Sequence, residues 1–265
     1  MRRLSWGIFY IITAEGWKQS SEMVRGASYW IGEAVLMSSK LDKQTTNSLM
    51  LRMIFRDRLD AGERLAELLS DYRGERLAII AIPRGGVEVG YVLAIRLGAP
   101  LEVTVPRKIG APMDPELAVG AIAEDGTIYV DEEVARLVGV GMDWIREEGE
   151  RELLEVRRRI EVYRGGKPLP RLDGYTVILV DDGVATGATM IATAKFLRKL
   201  EPRRLVIAVP VAPPETLPKL SREADDVRCV ETPSPFFAIG QFYRDFTQLS
   251  DSQVLDYLSR VERLI

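Results

Sequence analysis

This chain of 265 residues contains no histidine and a single cysteine, Cys229. The first absence removes His-dependent triads, imidazole proton shuttles and His metal sites. The second removes any intrachain disulfide and any Cys-based zinc site. No stretch approaches the roughly 20 apolar residues that span a bilayer. The opening "MRRLSWGIFYIITAEG" imitates a short signal peptide but lacks a small-x-small cleavage site, so a cytoplasmic protein is expected. No charge sign dominates either. Its 36 basic and 39 acidic side chains give a net charge of −3, with no overall pull toward nucleic acid or anionic membrane. The one dense basic run, Arg157-Arg158-Arg159, sits among Glu150, Glu152, Glu155 and Glu161, as on an exposed helix face with paired charges. The remaining chemistry belongs to carboxylates, Lys, Arg, hydroxyls and backbone amides, with room for an oxygen-liganded metal.

What is present is globular: 46% of the residues are hydrophobic. Residues 1–50 hold three of the four tryptophans, Trp6, Trp17 and Trp30, and end in the polar stretch "SSKLDKQTTNS". They read as an N-terminal extension with little expected order, joined by that linker to a main domain over 51–265. Met50 and Met53 directly precede the first convincing helix, which raises the expectation that the true start of the chain lies near one of them and that the extension comes from an upstream start codon. From residue 55 onward, apolar strands alternate with amphipathic helices. Strands are predicted at 76–82, 101–105, 127–130, 176–180, 204–211 and 227–231, and a last helix at about 251–264. That alternation predicts an α/β fold with a central, mainly parallel sheet covered by helices on both faces. Residues 107–126 carry Gly110, Pro112, Pro115, Gly120 and Gly126 and read as a long mobile loop with space for a short hairpin.

In such sheets ligands sit at the carboxyl ends of the strands. Three conspicuous turns fall there: 83–86, 106–110 and 181–189. The last belongs to "VILVDDGVATGATM" (177–190). Asp181 and Asp182 leave a buried strand and should project into the crevice in different directions, a disposition suited to the vicinal hydroxyls of a ribose, directly or through a divalent cation. Gly183 and Gly187 allow close backbone approach, Thr186 and Thr189 add hydroxyls, and a helix starting near Gly187 aims free N–H groups at an anion. Carboxylates for a diol beside donors for a phosphate describe a ribose 5-phosphate site. The competing reading is an ordinary strand–turn–helix with Thr186 as cap and solvated aspartates. A Walker A loop is excluded because no lysine follows Gly187, and a Rossmann fingerprint is missing.

The 177–190 string resembles the signature of type I phosphoribosyltransferases, which bind 5-phosphoribosyl 1-pyrophosphate (PRPP). "AIPRGGVEVG" (81–90) is similar to that family's pyrophosphate loop, and "VPRKIGAP" (105–112) to the basic start of its flexible catalytic loop. "FRDRLDAGERLAELL", "PELAVGAIAEDG" and "TPSPFFAIGQFYRDFTQLSD" resemble a subgroup of predicted prokaryotic phosphoribosyltransferases. The likeness covers about residues 55–258 and leaves 1–50 outside.

The resemblance implies a Mg²⁺-dependent transferase of nucleoside metabolism that joins a nitrogenous acceptor, expected to be a nucleobase, to C1′ of PRPP and releases pyrophosphate. The implied catalytic residues are Asp181, Asp182, Arg107 and Lys108. Gly183, Val184, Ala185, Thr186, Gly187, Ala188 and Thr189 would hold the 5′-phosphate, and Arg84, Gly85 and Gly86 the pyrophosphate. Magnesium would be held mainly by PRPP and water, with Asp181 and Asp182 as the available carboxylates. Ala185 replaces an aspartate that the hypoxanthine/guanine branch carries, which counts against 6-oxopurine salvage. A C-terminal segment rich in aromatics would lie over the site, with Phe236 and Phe237 as base-stacking candidates against a competing role in packing. Cys229, in an apolar strand, is expected to be buried. A homo-oligomer is compatible with the sequence. The alternative function is a PRPP-sensing regulator that keeps the fold without turnover.

Overall fold

The computed structural model describes residues 54–264. The extension over 1–50 and the candidate starts at Met50 and Met53 lie outside them. The sequence alternation yields helix α1 (Arg58–Leu68), strand β1 (Leu77–Ala81), helix α2 (Gly85–Leu97) and strand β2 (Leu101–Val103). There follow β3 (Arg107–Ala111), β4 (Asp114–Ile122), β5 (Ile128–Val130), α3 (Glu132–Val138) and α4 (Met142–Arg164). The second half comprises β6 (Thr176–Val180), α5 (Ala188–Arg198), β7 (Arg204–Val211), α6 (Leu217–Leu220), β8 (Asp226–Glu231) and α7 (Asp251–Glu262).

Five strands form one parallel sheet in the order β2-β1-β6-β7-β8. Its three central strands, β1, β6 and β7, are apolar runs because both faces are buried, whereas the edge strand β8 carries Asp226, Arg228 and Glu231 and is only half-buried. Ile79, Ala81, Ile178, Val180 and Val206 face α1, α2, α4 and α7 through Leu65, Leu93, Val156 and Val254. Their neighbours Ile80, Val177, Leu179, Ile207 and Val209 face α5 through Met190, Ile191 and Leu197. The period of two along each strand thus sorts one sequence into two cores.

The segment read as a loop is sheet. Strands β3, β4 and β5 form an antiparallel sheet, with Ile109, Val119 and Ile122 packed on Ile145 and Ala135 of α4 and α3. Its glycines are sites of close approach: a Cβ on Gly110 would lie 2.4 Å from the Pro115 carbonyl oxygen, and one on Gly120 would lie 2.3 Å from that of Tyr129. Glycine and proline therefore mark a register irregularity between strands here. The predicted strand 127–130 exists as β5, but it belongs to this second sheet.

The Arg157–Arg159 run lies on α4, where Glu155 bonds Arg158 and Arg159. Those two arginines hold its carboxyl down at about 2. Cys229 is half-buried in β8 and not fully buried, and burial pushes its thiol up to about 11. Among the described residues, no helix is long and apolar enough to cross a membrane.

Candidate active site

Strands β1 and β6 are neighbours in register, with Ala81 beside Val180, so the loops leaving them emerge side by side at the carboxyl edge of the sheet. The loops touch. A Cβ on Gly85 would sit 1.8 Å from Asp182 Oδ2, and one on Gly86 would sit 2.8 Å from Asp181 Cα. Any side chain at either position would collide with the acidic pair, so the glycines are required by approach. Helix α2 begins at Gly85 without a capping side chain. Among the described residues, the N–H groups of Gly85 and Gly86 donate to no protein acceptor. Arg84 precedes them, with Nη1 4.0 Å from Asp251 Oδ1.

The acidic pair departs from the expected pose. Asp182 does not project freely into a crevice: it is 8% exposed, and its Oδ2 accepts from Arg58 Nε at 2.7 Å. Its backbone carbonyl accepts from the Tyr243 hydroxyl at 2.6 Å. The reason is packing, since α1 lies under the loop and brings a cation that the buried carboxylate requires. Asp181 is half-buried, and its Oδ1 accepts the N–H of Asp182 at 2.8 Å. Burial pushes both carboxyls above the ordinary range. Asp181 rises further because the Asp182 charge adds to it, whereas Arg58 pulls Asp182 back.

Beyond the pair, the chain turns into α5. Gly187 adopts φ +88°, in the left-handed region that favours glycine, and α5 starts with no side-chain cap. Thr186 is thus exposed and does not cap the helix. Among the described residues, the N–H groups of Ala185, Thr186, Gly187, Ala188 and Thr189 donate to no protein acceptor. The loop is held from behind: Val184 N–H donates to the Val211 carbonyl at 2.9 Å, and the Thr216 hydroxyl donates to the Ala185 carbonyl at 2.7 Å. Val184 and Ala188 are buried in the α5-side core, while Gly183 packs under Ile239 and Val211. The result, among the described residues, is a row of amides without a protein acceptor at a positive helix end beside a carboxyl pair, which suits a phosphate monoester next to a diol.

Arg107 and Lys108 sit on β3 and not on a loop. Arg107 Nε donates to Glu152 Oε2 of α4 at 2.7 Å, and Lys108 Nζ pairs with Glu116 Oε2 of β4 at 3.0 Å. Both line a cavity of about 600 Å³ with Trp144, Glu148 and Arg151. Both cations expected to be catalytic, Arg107 and Lys108, are therefore each engaged by a neighbouring carboxylate.

The C-terminal aromatics separate. Phe236 packs on Phe242 with ring centroids 4.9 Å apart, whereas Phe237 is 79% exposed. Their segment lies over the acidic loop: a Cβ on Gly183 would meet Ile239 at 2.6 Å.

Arg58 and Tyr243 were not singled out for the site in the sequence. One signal was available, since Arg58 shares a helical face with Ala61, Gly62 and Leu65, all buried. A charge on an apolar stripe needs a partner, and here the partner is Asp182.

A family model described as "Phosphoribosyl transferase domain" matches residues 54–247. A Mycobacterium tuberculosis H37Rv protein named "Putative phosphoribosyl transferase Rv0571c" is 42% identical over 213 residues, which cover 79% of this chain and 47% of that one. Its counterpart in strain CDC 1551, MT0597, matches with the same identity and coverage. The chain thus spans about half the length of the curated relatives it matches. Among solved structures, TT1426 from Thermus thermophilus is 40% identical with a TM-score of 0.65, covering 78% of this chain and 98% of that one.

Proposed function

The chain belongs to the phosphoribosyl transferase family, and from that premise we propose that it moves the 5-phosphoribosyl group of PRPP onto a nitrogenous acceptor. The bond from C1′ to the pyrophosphate oxygen breaks, a bond from C1′ to the acceptor nitrogen forms, and pyrophosphate leaves. The observation that carries this reading is the run of unbonded amides over Ala185–Thr189 directly beside Asp181 and Asp182.

Those amides hold the 5′-phosphate, and the acidic pair receives the ribose hydroxyls. Arg84 and the Gly85 and Gly86 amides hold the pyrophosphate. Arg107 and Lys108 add charge to it after exchanging their carboxylate partners. The segment through Ile239 and Tyr243 covers the acidic loop and limits water around C1′.

The donor set suits a hydrated magnesium ion. Among the described residues no group of three or more acidic or sulfur ligands forms a cage. Among the described residues, Asp181 is the carboxylate of the pair without an ion pair to a cation, and Mg²⁺ takes few protein ligands and keeps its waters. When bound it would neutralise charge on the departing pyrophosphate.

The engagement of Arg107 by Glu152 favours one second reading, a PRPP-sensing protein without turnover. The test is pyrophosphate release from PRPP and Mg²⁺ across a panel of nucleobases, run beside thermal shift with PRPP alone. Release with one base supports transfer. Stabilisation without release on any base supports sensing, and neither signal would sink both readings.

A further inference from the structure

We propose that Arg58 is the positioning residue of the acidic pair, an assignment that rests on the phosphoribosyl transfer reading above. Its side chain is 7% exposed, and it joins three separate parts of the site. Nε donates to Asp182 Oδ2 at 2.7 Å, on the loop after β6. Nη1 donates to the Thr247 carbonyl at 2.8 Å, in the C-terminal segment. The guanidinium plane lies over the Phe246 ring at 4.0 Å, and Nη1 stands 4.0 Å from Glu88 Oε2 of α2. Only a planar fork can send charged donors in two directions while stacking on an aromatic face, so lysine is not an equivalent here.

The Arg58–Asp182 bond also runs beneath the first loop. A Cβ on Gly85 would lie 1.8 Å from Asp182 Oδ2 and 2.7 Å from Arg58 Nε. The pyrophosphate loop therefore rests on that ion pair, and moving Arg58 moves the floor of both loops at once. The same guanidinium anchors the covering segment through Thr247, with Phe246 in turn packed at a tilt on Tyr243, ring centroids 5.0 Å apart. Arg58 touches no reacting atom. It sets the orientation of one carboxylate that receives the diol and keeps the cover in place above it.

The experiment is calorimetric titration of PRPP with Mg²⁺ into wild type and Arg58→Met, both checked for folding by circular dichroism. The expected result is binding weakened by about 10- to 100-fold, the worth of a hydrogen bond to a charged group. Added ethylguanidinium should restore a large part of the affinity, and equal concentrations of urea should not, since a merely structural gap has no use for the charge. Arg58→Lys should bind with intermediate affinity. Should Arg58→Met not fold, Phe246→Leu carries the test, because it removes the stack and keeps the ion pair; a few-fold loss is expected. A folded Arg58→Met or Phe246→Leu with wild-type affinity overturns the assignment. A wild type that ignores PRPP is a different result, which overturns the transfer reading itself.

Discussion

Two charged clusters of this molecule differ in burial, one at the carboxyl edge of the parallel sheet and one on β3 of the antiparallel sheet. At the carboxyl edge of the parallel sheet, Asp182 and Arg58 are sealed together at 12% and 7% side-chain exposure, and glycines at 85 and 86 let the next loop press onto them. In the antiparallel sheet, Arg107 and Glu152 are 33% and 23% exposed, and Lys108 reaches a Glu116 that is 93% exposed. Buried pairs are costly to break from one side, whereas exposed pairs exchange partners at little cost. The Arg58–Asp182 pair thus holds a fixed shape, whereas the more accessible Arg107 and Lys108 pairs cost less to exchange.

Breaking the buried pair should have the largest effect. Asp182→Ala leaves a guanidinium buried without its partner, and urea unfolding should show a loss of about 3–5 kcal/mol. Gly85→Ala comes next, because its new Cβ would enter Asp182 Oδ2; overpacking of this kind costs about 1–3 kcal/mol, with loss of PRPP binding in the same variant. Asp181→Asn should separate function from stability. Burial and the neighbouring charge raise the folded Asp181 above its unfolded value of 3.8, so the fold is favoured at low pH and loses stability as pH rises from there toward the folded value. The amide removes that part of the loss, so at neutral pH Asp181→Asn should be as stable as wild type or more so, yet inactive. Glu152→Gln should have the smallest effect, changing stability by less than about 1 kcal/mol while tightening PRPP binding a few-fold by freeing Arg107. Were Glu152→Gln to destabilise as much as Asp182→Ala, the contrast between the regions would be lost.

That contrast also separates what the sequence disclosed from what it hid. The centre of the parallel sheet was legible because β1, β6 and β7 are apolar runs, the first closed by Pro83 and the second by the aspartates, and β6 and β7 fall at the predicted 176–180 and 204–211. The turn after β6 was legible as a strand-to-helix turn, because Gly183 and Gly187 follow an apolar strand and the helix begins at Ala188, next to the expected Gly187. The antiparallel sheet was hidden by Gly110, Gly120 and Pro115, which in sequence punctuate a loop and in space permit strands to approach. The Arg58–Asp182 pair was hidden for another reason: it joins residues 124 apart, and local periodicity carries no information about such a partner. Phe236 and Phe237 show the same limit, since adjacent aromatics look equivalent until the chain path half-buries one against Phe242 and exposes the other.

The most direct test of the central claim is a ¹⁵N NMR titration with ribose 5-phosphate, a ligand that carries the diol and the phosphate and no pyrophosphate. The amides of Ala185, Thr186, Gly187, Ala188 and Thr189 should shift together and saturably, with those of Arg107 and Lys108 left in place. Shifts in the β3–β4 hairpin with the 185–189 amides unmoved would contradict the account.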